Sequence, residues 1–401
     1  MRLFLPAVLL SLALVSGAAG ATRADPGVTS NSVLIGGTVP LTGVAAAYAS
    51  VGRGADAYFK YWNETHAVNG RKIQYEYLDD AYDPAQTVEQ TRRLVQQDHV
   101  FAIFNSLGTE HNLATRPFLN QEKVPQLFVA TGATTFGRDY KQFPWSIGFL
   151  PSYTAEGIIY GKYIRANVKS PKIAVLYQDD DYGKELLNGM KKGLGPLANR
   201  VVSTKGYDAA ASDVNSQVAS LKASKANVFM IFATPKYAIQ AYIQVNKLGW
   251  KPKIFVNGVA STSNIMKIVA ASSGSVSNGS VSFTILKDPT DPKFKNDKTM
   301  KLYHQIMSKY APGADQSDVY NVYAMAAAYT FIAALQHAGN PPTRDGIMRA
   351  VTHLNQVNPF LLSGIKVTTT PTDRFPVKQG VLEIWKNGRW TLLGKPVSAR
   401  G

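Results

Sequence analysis

Short apolar runs alternate with longer stretches in which apolar residues recur every three or four positions. Runs of the first kind predict strands over Val33–Val39, Ile73–Leu78, Val100–Phe104, Gln126–Ala130, Ile173–Tyr177, Val201–Tyr207, Val228–Ala233 and Ile254–Val256. Stretches of the second kind predict helices over Tyr48–Glu64, Pro84–Gln97, Glu110–Glu122, Glu156–Asn167, Tyr182–Leu197, Val214–Lys222 and Tyr237–Leu248. Asp83-Pro84 places proline at a first helical position, and Asp213 precedes another apolar-periodic stretch, as helix starts require. Strand and helix in strict alternation mean parallel βαβ units with right-handed crossovers. The set occurs twice, near 32–148 and 149–282, so the chain reads as two similar lobes. The last third differs. A strand at Val281–Leu286 is followed by helices at Pro292–Lys309, Asp318–Ala338 and Thr343–Leu354, then strands at Ile365–Thr369 and Val381–Trp385 with a hairpin turn at Lys386-Asn387-Gly388.

At the N-terminus, Arg2, the apolar run Leu3–Val15 and the small-residue site Ala19-Gly20-Ala21 form the pattern of an export signal over residues 1–21, with the mature chain expected to begin at Thr22. The run is too short to span a bilayer, and no other segment approaches about 18 uninterrupted apolar residues. The 401 residues include no cysteine, which excludes disulfides and a lipid-modified cysteine anchor. With 45% hydrophobic residues the chain can bury a large core. The net charge of +16 is scattered, with no basic run longer than Arg92-Arg93 or Lys191-Lys192. It reads as a solvated basic surface rather than as a nucleic-acid footprint, with steering of anionic solutes as the lesser alternative.

Catalytic patterns are missing. The six histidines show no metal-ligand spacing, and neither a nucleophile elbow nor a phosphate-binding loop occurs. Gly52-Arg53-Gly54 lacks the third glycine of a dinucleotide loop. Asp179-Asp180-Asp181 resembles a cation site but more commonly marks a solvated strand end. The expectation is therefore a binding protein without catalytic residues, cofactor or metal. In open α/β sheets ligands lie at the carboxyl ends of strands. Two junctions there, Asn105–Glu110 and Ala130–Thr135, are rich in small and hydroxyl residues. Their amides and helix dipoles could hold a carboxylate; the alternative is ordinary caps and turns.

Three stretches carry a family resemblance: Val33–Pro40 running into Leu41-Thr42-Gly43, the motif Asp79-Asp80-Ala81-Tyr82-Asp83-Pro84, and Val124–Ala133. Through them nearly the whole mature chain resembles the periplasmic leucine/isoleucine/valine-binding proteins, receptors of ATP-driven (ABC) importers. The resemblance implies an α/β, type I periplasmic binding protein fold of two Rossmann-like lobes. Lobe one would comprise 32–148 plus 283–360, and lobe two 149–282 plus 361–395. Segments near Trp145–Phe149, Ser282–Lys287 and Leu361–Lys366 would form a three-segment hinge. It implies an exported monomer that closes on a small carboxylate and presents the closed form to membrane permease subunits. It also implies a ligand site. Leu107, Gly108, Thr109, Gly132, Ala133 and Thr134 would hold the carboxylate and Tyr48 would cover the ligand body. Tyr182, Thr234 and Asn257 would close from lobe two, with Tyr153 nearby.

The family's amino-acid binders place an acidic residue where this chain has Asn257. Either another acid, Glu156 or Asp181, meets a ligand ammonium, or the ligand has none, since a buried unpaired ammonium costs several kcal/mol. Phe104, Phe149, Tyr153, Tyr177, Tyr182 and Tyr320 fall at strand ends or helix starts, and so many rings would suit an aromatic acid. The expected ligand is thus a branched-chain amino acid or related acid, with aromatic and other amino-free acids as alternatives. A sensing subunit and an exported enzyme are the rival roles.

Overall fold

The structure, a computed structural model, describes residues 24–398; the expected export signal lies outside them. The first half runs β1 (Ser32–Val39), α1 (Ser50–Thr65), β2 (Lys72–Asp79), α2 (Pro84–Gln96), β3 (Ile103–Phe104), α3 (Thr109–Gln121), β4 (Gln126–Val129), α4 (Thr135–Arg138) and β5 (Ser146–Gly148). These strands form one parallel sheet in the order β2-β1-β3-β4-β5. Helices cover both faces, so the inner strands read as continuous apolar runs, and β4 is buried throughout.

A second set follows with α5 (Tyr153–Asn167), β6 (Ile173–Gln178), α6 (Asp181–Leu194), β7 (Val201–Tyr207), α7 (Asn215–Ala223), β8 (Val228–Phe232), α8 (Pro235–Lys247), β9 (Lys253–Val256), α9 (Ser263–Ser273) and β10 (Val281–Thr284). The chain then forms α10 (Lys298–Tyr310), α11 (Val319–Gln336), α12 (Arg344–Val351), β11 (Asn355–Gln356), β12 (Val367–Thr368), β13 (Gln379–Lys386) and β14 (Arg389–Ser398). The second sheet has the order β14-β13-β10-β9-β8-β6-β7, with β13 and β14 antiparallel.

The tail threads back, β13 pairing antiparallel with β10. Helix α11 is buried on nearly every face and packs on α1, where a Cβ on Gly54 would meet the Asn321 backbone at 2.8 Å. No described helix is long and apolar enough to cross a membrane. Asn387 and Gly388 take the left-handed conformation of a two-residue hairpin turn and pair Lys386 with Arg389. The return strand β14 was not expected as a strand. It tolerates Pro396 because it is an edge. The strand expected over Ile365–Thr369 shortens to β12, which pairs with β11 outside both large sheets. Helix α9 was also not expected, its short apolar core being lost among serines.

Three segments connect the two sheets. One is Phe149–Ser152 after β5, since Ser146–Gly148 still pairs in the first sheet. The others are Ile285–Lys287 and the strand-like piece Phe360–Leu362 beside it, joined by Leu362 N–H to Ile285 O (2.9 Å) and Lys287 N–H to Phe360 O (3.0 Å).

Candidate functional site

A cavity of about 110 Å³ lies where the carboxyl ends of the two sheets face each other. From the first sheet come Tyr48 after β1, Tyr82 after β2, Leu107, Gly108 and Thr109 after β3, and Ala130 after β4. The second contributes Tyr182 after β6, Thr234 after β8, and Gly258 and Val259 after β9. Tyr153 and Glu156 enter from the first turn of α5, and Tyr320 and Tyr323 from that of α11.

The wall from the first sheet is built from helix starts and turns. Gly108 ends the β3 loop at φ 109°, a conformation that favours glycine, and opens α3. The Thr109 hydroxyl pairs with that of Thr131 at 2.7 Å, which fixes the loop beside Ala130. Tyr82 stands at φ 61° after Ala81 at φ 49°. Two carboxylates hold this strained turn. Asp79 Oδ1 accepts from the amides of Leu41 (2.8 Å) and Ala81 (2.9 Å), and Asp80 Oδ1 from that of Tyr82 (3.1 Å). The motif Asp79–Pro84 is therefore a device that aims Tyr82 at the cavity, a role its sequence alone did not reveal.

Of the residues named from the sequence, Tyr48, Leu107, Gly108, Thr109, Tyr153, Tyr182 and Thr234 line the cavity. Gly132, Ala133, Thr134 and Asn257 do not. Gly132 packs under the crossing segment, its carbonyl accepting from Tyr153 N–H at 2.7 Å, and a Cβ there would meet Pro151 O at 2.6 Å. Ala133 is core beside Val129 and Phe136. Thr134 gives its amide (2.9 Å) and hydroxyl (2.7 Å) to the Glu185 carboxylate on α6. A hydroxyl-rich loop at a strand end looks the same in sequence whether its donors face a ligand or a carboxylate from the other sheet's helix. The Asn257 side chain accepts from Ala233 N–H (3.1 Å) and so braces β9 against β8.

Of the expected rings, Tyr153, Tyr182 and Tyr320 reach the cavity. Phe104 packs in the core edge-on to Phe59 and tilted against Phe331, Phe149 packs on Phe128, and Tyr177 is a half-buried strand residue outside the lining. The acidic run also resolves. Asp179 pairs with Lys184 at 3.0 Å, Asp180 caps α6 through Gly183 N–H at 3.1 Å, and Asp181 is exposed. Among the described residues no group of three His, Cys, Asp or Glu could hold a metal ion.

Glu156 is the acid of the cavity. It is 4% exposed, and its Oε1 accepts from Gly258 N–H (2.8 Å) and Tyr160 OH (2.8 Å). Burial pushes its carboxyl up to about 7, against the pull of those two hydrogen bonds. Both bonds fall on one oxygen. The Gly258 bond sets the group beside the Asn257 position, and its second oxygen meets no described donor. The hydroxyls of Tyr182, Thr234 and Thr262 are buried at the same cavity without a protein partner, an arrangement that costs stability unless something else bonds them.

The two walls are also latched together. Val259 O accepts from Tyr48 OH (2.9 Å) and Tyr320 OH (2.7 Å), whose rings meet edge-on at 5.0 Å. With the Thr134–Glu185 bonds on the other side, the arrangement is a closed one.

Residues 32–387 match the family model described as "Periplasmic binding protein". The chain is 25% identical over 335 residues to the Leu/Ile/Val-binding protein homolog 2 of Brucella abortus, covering 83% of this chain and 85% of that one. Its fold is similar to a branched chain amino acid ABC transporter protein of Thermus thermophilus with bound valine (TM-score 0.80, 17% identity, 92% of this chain and 97% of that one). It is also similar to a fatty acid ABC transporter substrate-binding protein of Thermomonospora curvata (TM-score 0.77, 20% identity, 94% and 95%). Two facing α/β sheets, a cavity at their carboxyl ends and a family match across almost all described residues lead to one assignment: this chain belongs to the periplasmic binding protein family, extracytoplasmic solute receptors rather than enzymes, with the type I fold.

Proposed function

We propose that this protein is the solute receptor of an ABC importer and that its ligand is a small aliphatic amino acid of the branched-chain kind. The observation that carries the reading is Glu156, a buried carboxyl with one oxygen uncommitted, set in an otherwise neutral cavity. A ligand ammonium would take the proton's place there, as a charge-assisted hydrogen bond to an ionised Glu156. The start of α3 would receive the ligand carboxylate, where amides and the helix dipole favour an anion. Tyr182 and Thr234 would bind across from it, so the ligand would touch both lobes and favour the closed form. The lobes we propose are 32–148 plus 283–360 and 149–282 plus 361–395, hinged where the chain crosses between the sheets. Membrane permease subunits are the partners, and the receptor acts as a monomer.

Size supports a small ligand. An apolar cavity of roughly 150 Å³ admits benzene, so 110 Å³ suits a compact side chain and not a long acyl chain. The tyrosines on the wall favour a second reading, an aromatic amino-free acid. The test is calorimetric titration of protein stripped of ligand by unfolding and refolding, with leucine, valine, phenylalanine and 4-hydroxybenzoate. Tight binding of the aliphatic amino acids supports the proposal. Tight binding of 4-hydroxybenzoate alone replaces it with the second reading.

A further inference from the structure

Behind the ligand cavity lies a second one of about 60 Å³, and the two share Gly258, Thr262, Thr284 and Leu286 as their common wall. It sits at the crossing segments, closed by the β13–β14 hairpin on one side and by Val319 at the start of α11 on the other. Into it faces Glu383 of β13, 6% exposed, to whose carboxyl no described residue donates a hydrogen bond and with which none forms an ion pair. Asp288 and Asp291 line the same space, but both already accept hydrogen bonds. Asp288 binds the Ser263 hydroxyl and Thr290 N–H, and Asp291 caps the turn at Lys293 N–H (2.9 Å). The rings of Phe294 and Trp390 complete the lining, and Arg389, the basic residue of the lining, is exposed at the rim.

An isolated buried carboxyl is costly, and nothing in the ligand site uses this one. Burial, with Asp288 and Asp291 nearby, holds it well above the usual carboxylate range, so it keeps its proton until a cation replaces it. The acids are not grouped tightly enough for a metal ion among the described residues. A primary ammonium is the size of water, which needs only about 10–15 Å³ of such space, and aromatic walls favour a cation. We propose that this second cavity is a binding site for a primary ammonium group, with Glu383 as its counter-ion. The group would belong either to a small free amine or to the far end of a ligand whose carboxylate lies in the first cavity.

The two sources separate experimentally. Methylammonium and lysine are titrated calorimetrically into the full mature protein, with choline as the cation control, in the presence and absence of leucine. The same titrations are run on Glu383→Gln and Glu383→Met. If the proposal holds, methylammonium or lysine binds, choline does not, and both variants lose at least tenfold in that affinity while leucine still binds them. Methylammonium binding that persists with leucine present identifies the free amine, and lysine binding that leucine abolishes identifies the ligand tail. No amine binding above choline, or unchanged amine affinity in folded Glu383 variants, overturns the site. Leucine binding by the same variants reports separately on the ligand reading on which the tail alternative rests.

Discussion

At the scale of the residue, the proposed recognition rests on two groups. Glu156 has its folded-state carboxyl near 7 against an ordinary 4.5. The folded protein therefore holds this proton more tightly than the unfolded chain does. The stability so conferred is complete below about pH 4.5 and disappears as pH rises through 7, a difference of about 3 kcal/mol. Urea unfolding of the ligand-free protein should show greater stability at pH 5 than at pH 8, and Glu156→Gln should shrink the difference by about that amount. Asp80, Asp180 and Asp318, each pushed by burial up to about 6, act in the same direction and will leave a residual slope. Ligand binding runs the other way. An ammonium needs the ionised carboxyl, so affinity for an amino acid should fall up to tenfold per unit as pH drops below 7. Tyr182 is the second group. Its hydroxyl is buried without a partner, so Tyr182→Phe should leave thermal stability unchanged or raised while weakening ligand about three- to tenfold, the worth of one hydrogen bond. Unchanged affinity would remove that hydroxyl from the site. Tyr182 was legible only through the family resemblance, which places a tyrosine before a glycine at that helix start. The sequence showed Glu156 only as one of two acids, because which of them lies near residue 257 depends on how α5 packs, not on any local pattern.

At the scale of the element, the crossing of α5 and α6 sets the cavity wall. Gly157 and Gly161 on α5 meet Gly189 and Gly193 on α6 so closely that a Cβ on Gly161 would lie 2.2 Å from Met190 O and one on Gly193 2.2 Å from Ile158 O. Tyr153 and Glu156 on one helix and Tyr182 on the other owe their spacing to this contact, and the Tyr153 and Tyr182 rings stand 4.9 Å apart. In an isolated helix Gly→Ala gains about 1 kcal/mol. Here Gly161→Ala should instead destabilise by about 1–3 kcal/mol, the usual cost of overpacking, and should weaken ligand as the wall shifts. Chemical unfolding measures the first effect and titration the second; a stabilised variant would show that the helices separate freely. The alternation of strands and helices was legible throughout because each strand is a compact apolar run between amphipathic helices. Elements whose identity depends on partners were not: β14 is a strand because β13 offers it an edge, and β3 starts later than expected, the Val100 amide bonding Leu94 O at the end of α2 rather than a neighbouring strand.

At the scale of the whole molecule, closure joins surfaces far apart in sequence. Tyr48 and Tyr320 share Val259 O, and Glu185 binds the Thr134 loop. None of these pairings could be read from the chain, since each joins groups of ordinary type across 51 to 211 residues. They predict that the double variant Tyr48→Phe with Tyr320→Phe opens the protein. Small-angle X-ray scattering of the ligand-free variant should give a larger radius of gyration than wild type, and apparent ligand affinity should fall roughly tenfold or more, at about 0.5–1.5 kcal/mol per lost bond. An unchanged radius and affinity would mean that the latch contributes nothing to closure. We propose that the lobes close on an amino acid whose ammonium is met by Glu156. The most direct test is paired titration of leucine and its amino-free counterpart, 4-methylpentanoate, into wild type and Glu156→Gln. Wild type should bind leucine and reject the amino-free acid, and the variant should lose most of that preference. Equal or tighter binding of 4-methylpentanoate by wild type, or an undiminished preference in the variant, would contradict it.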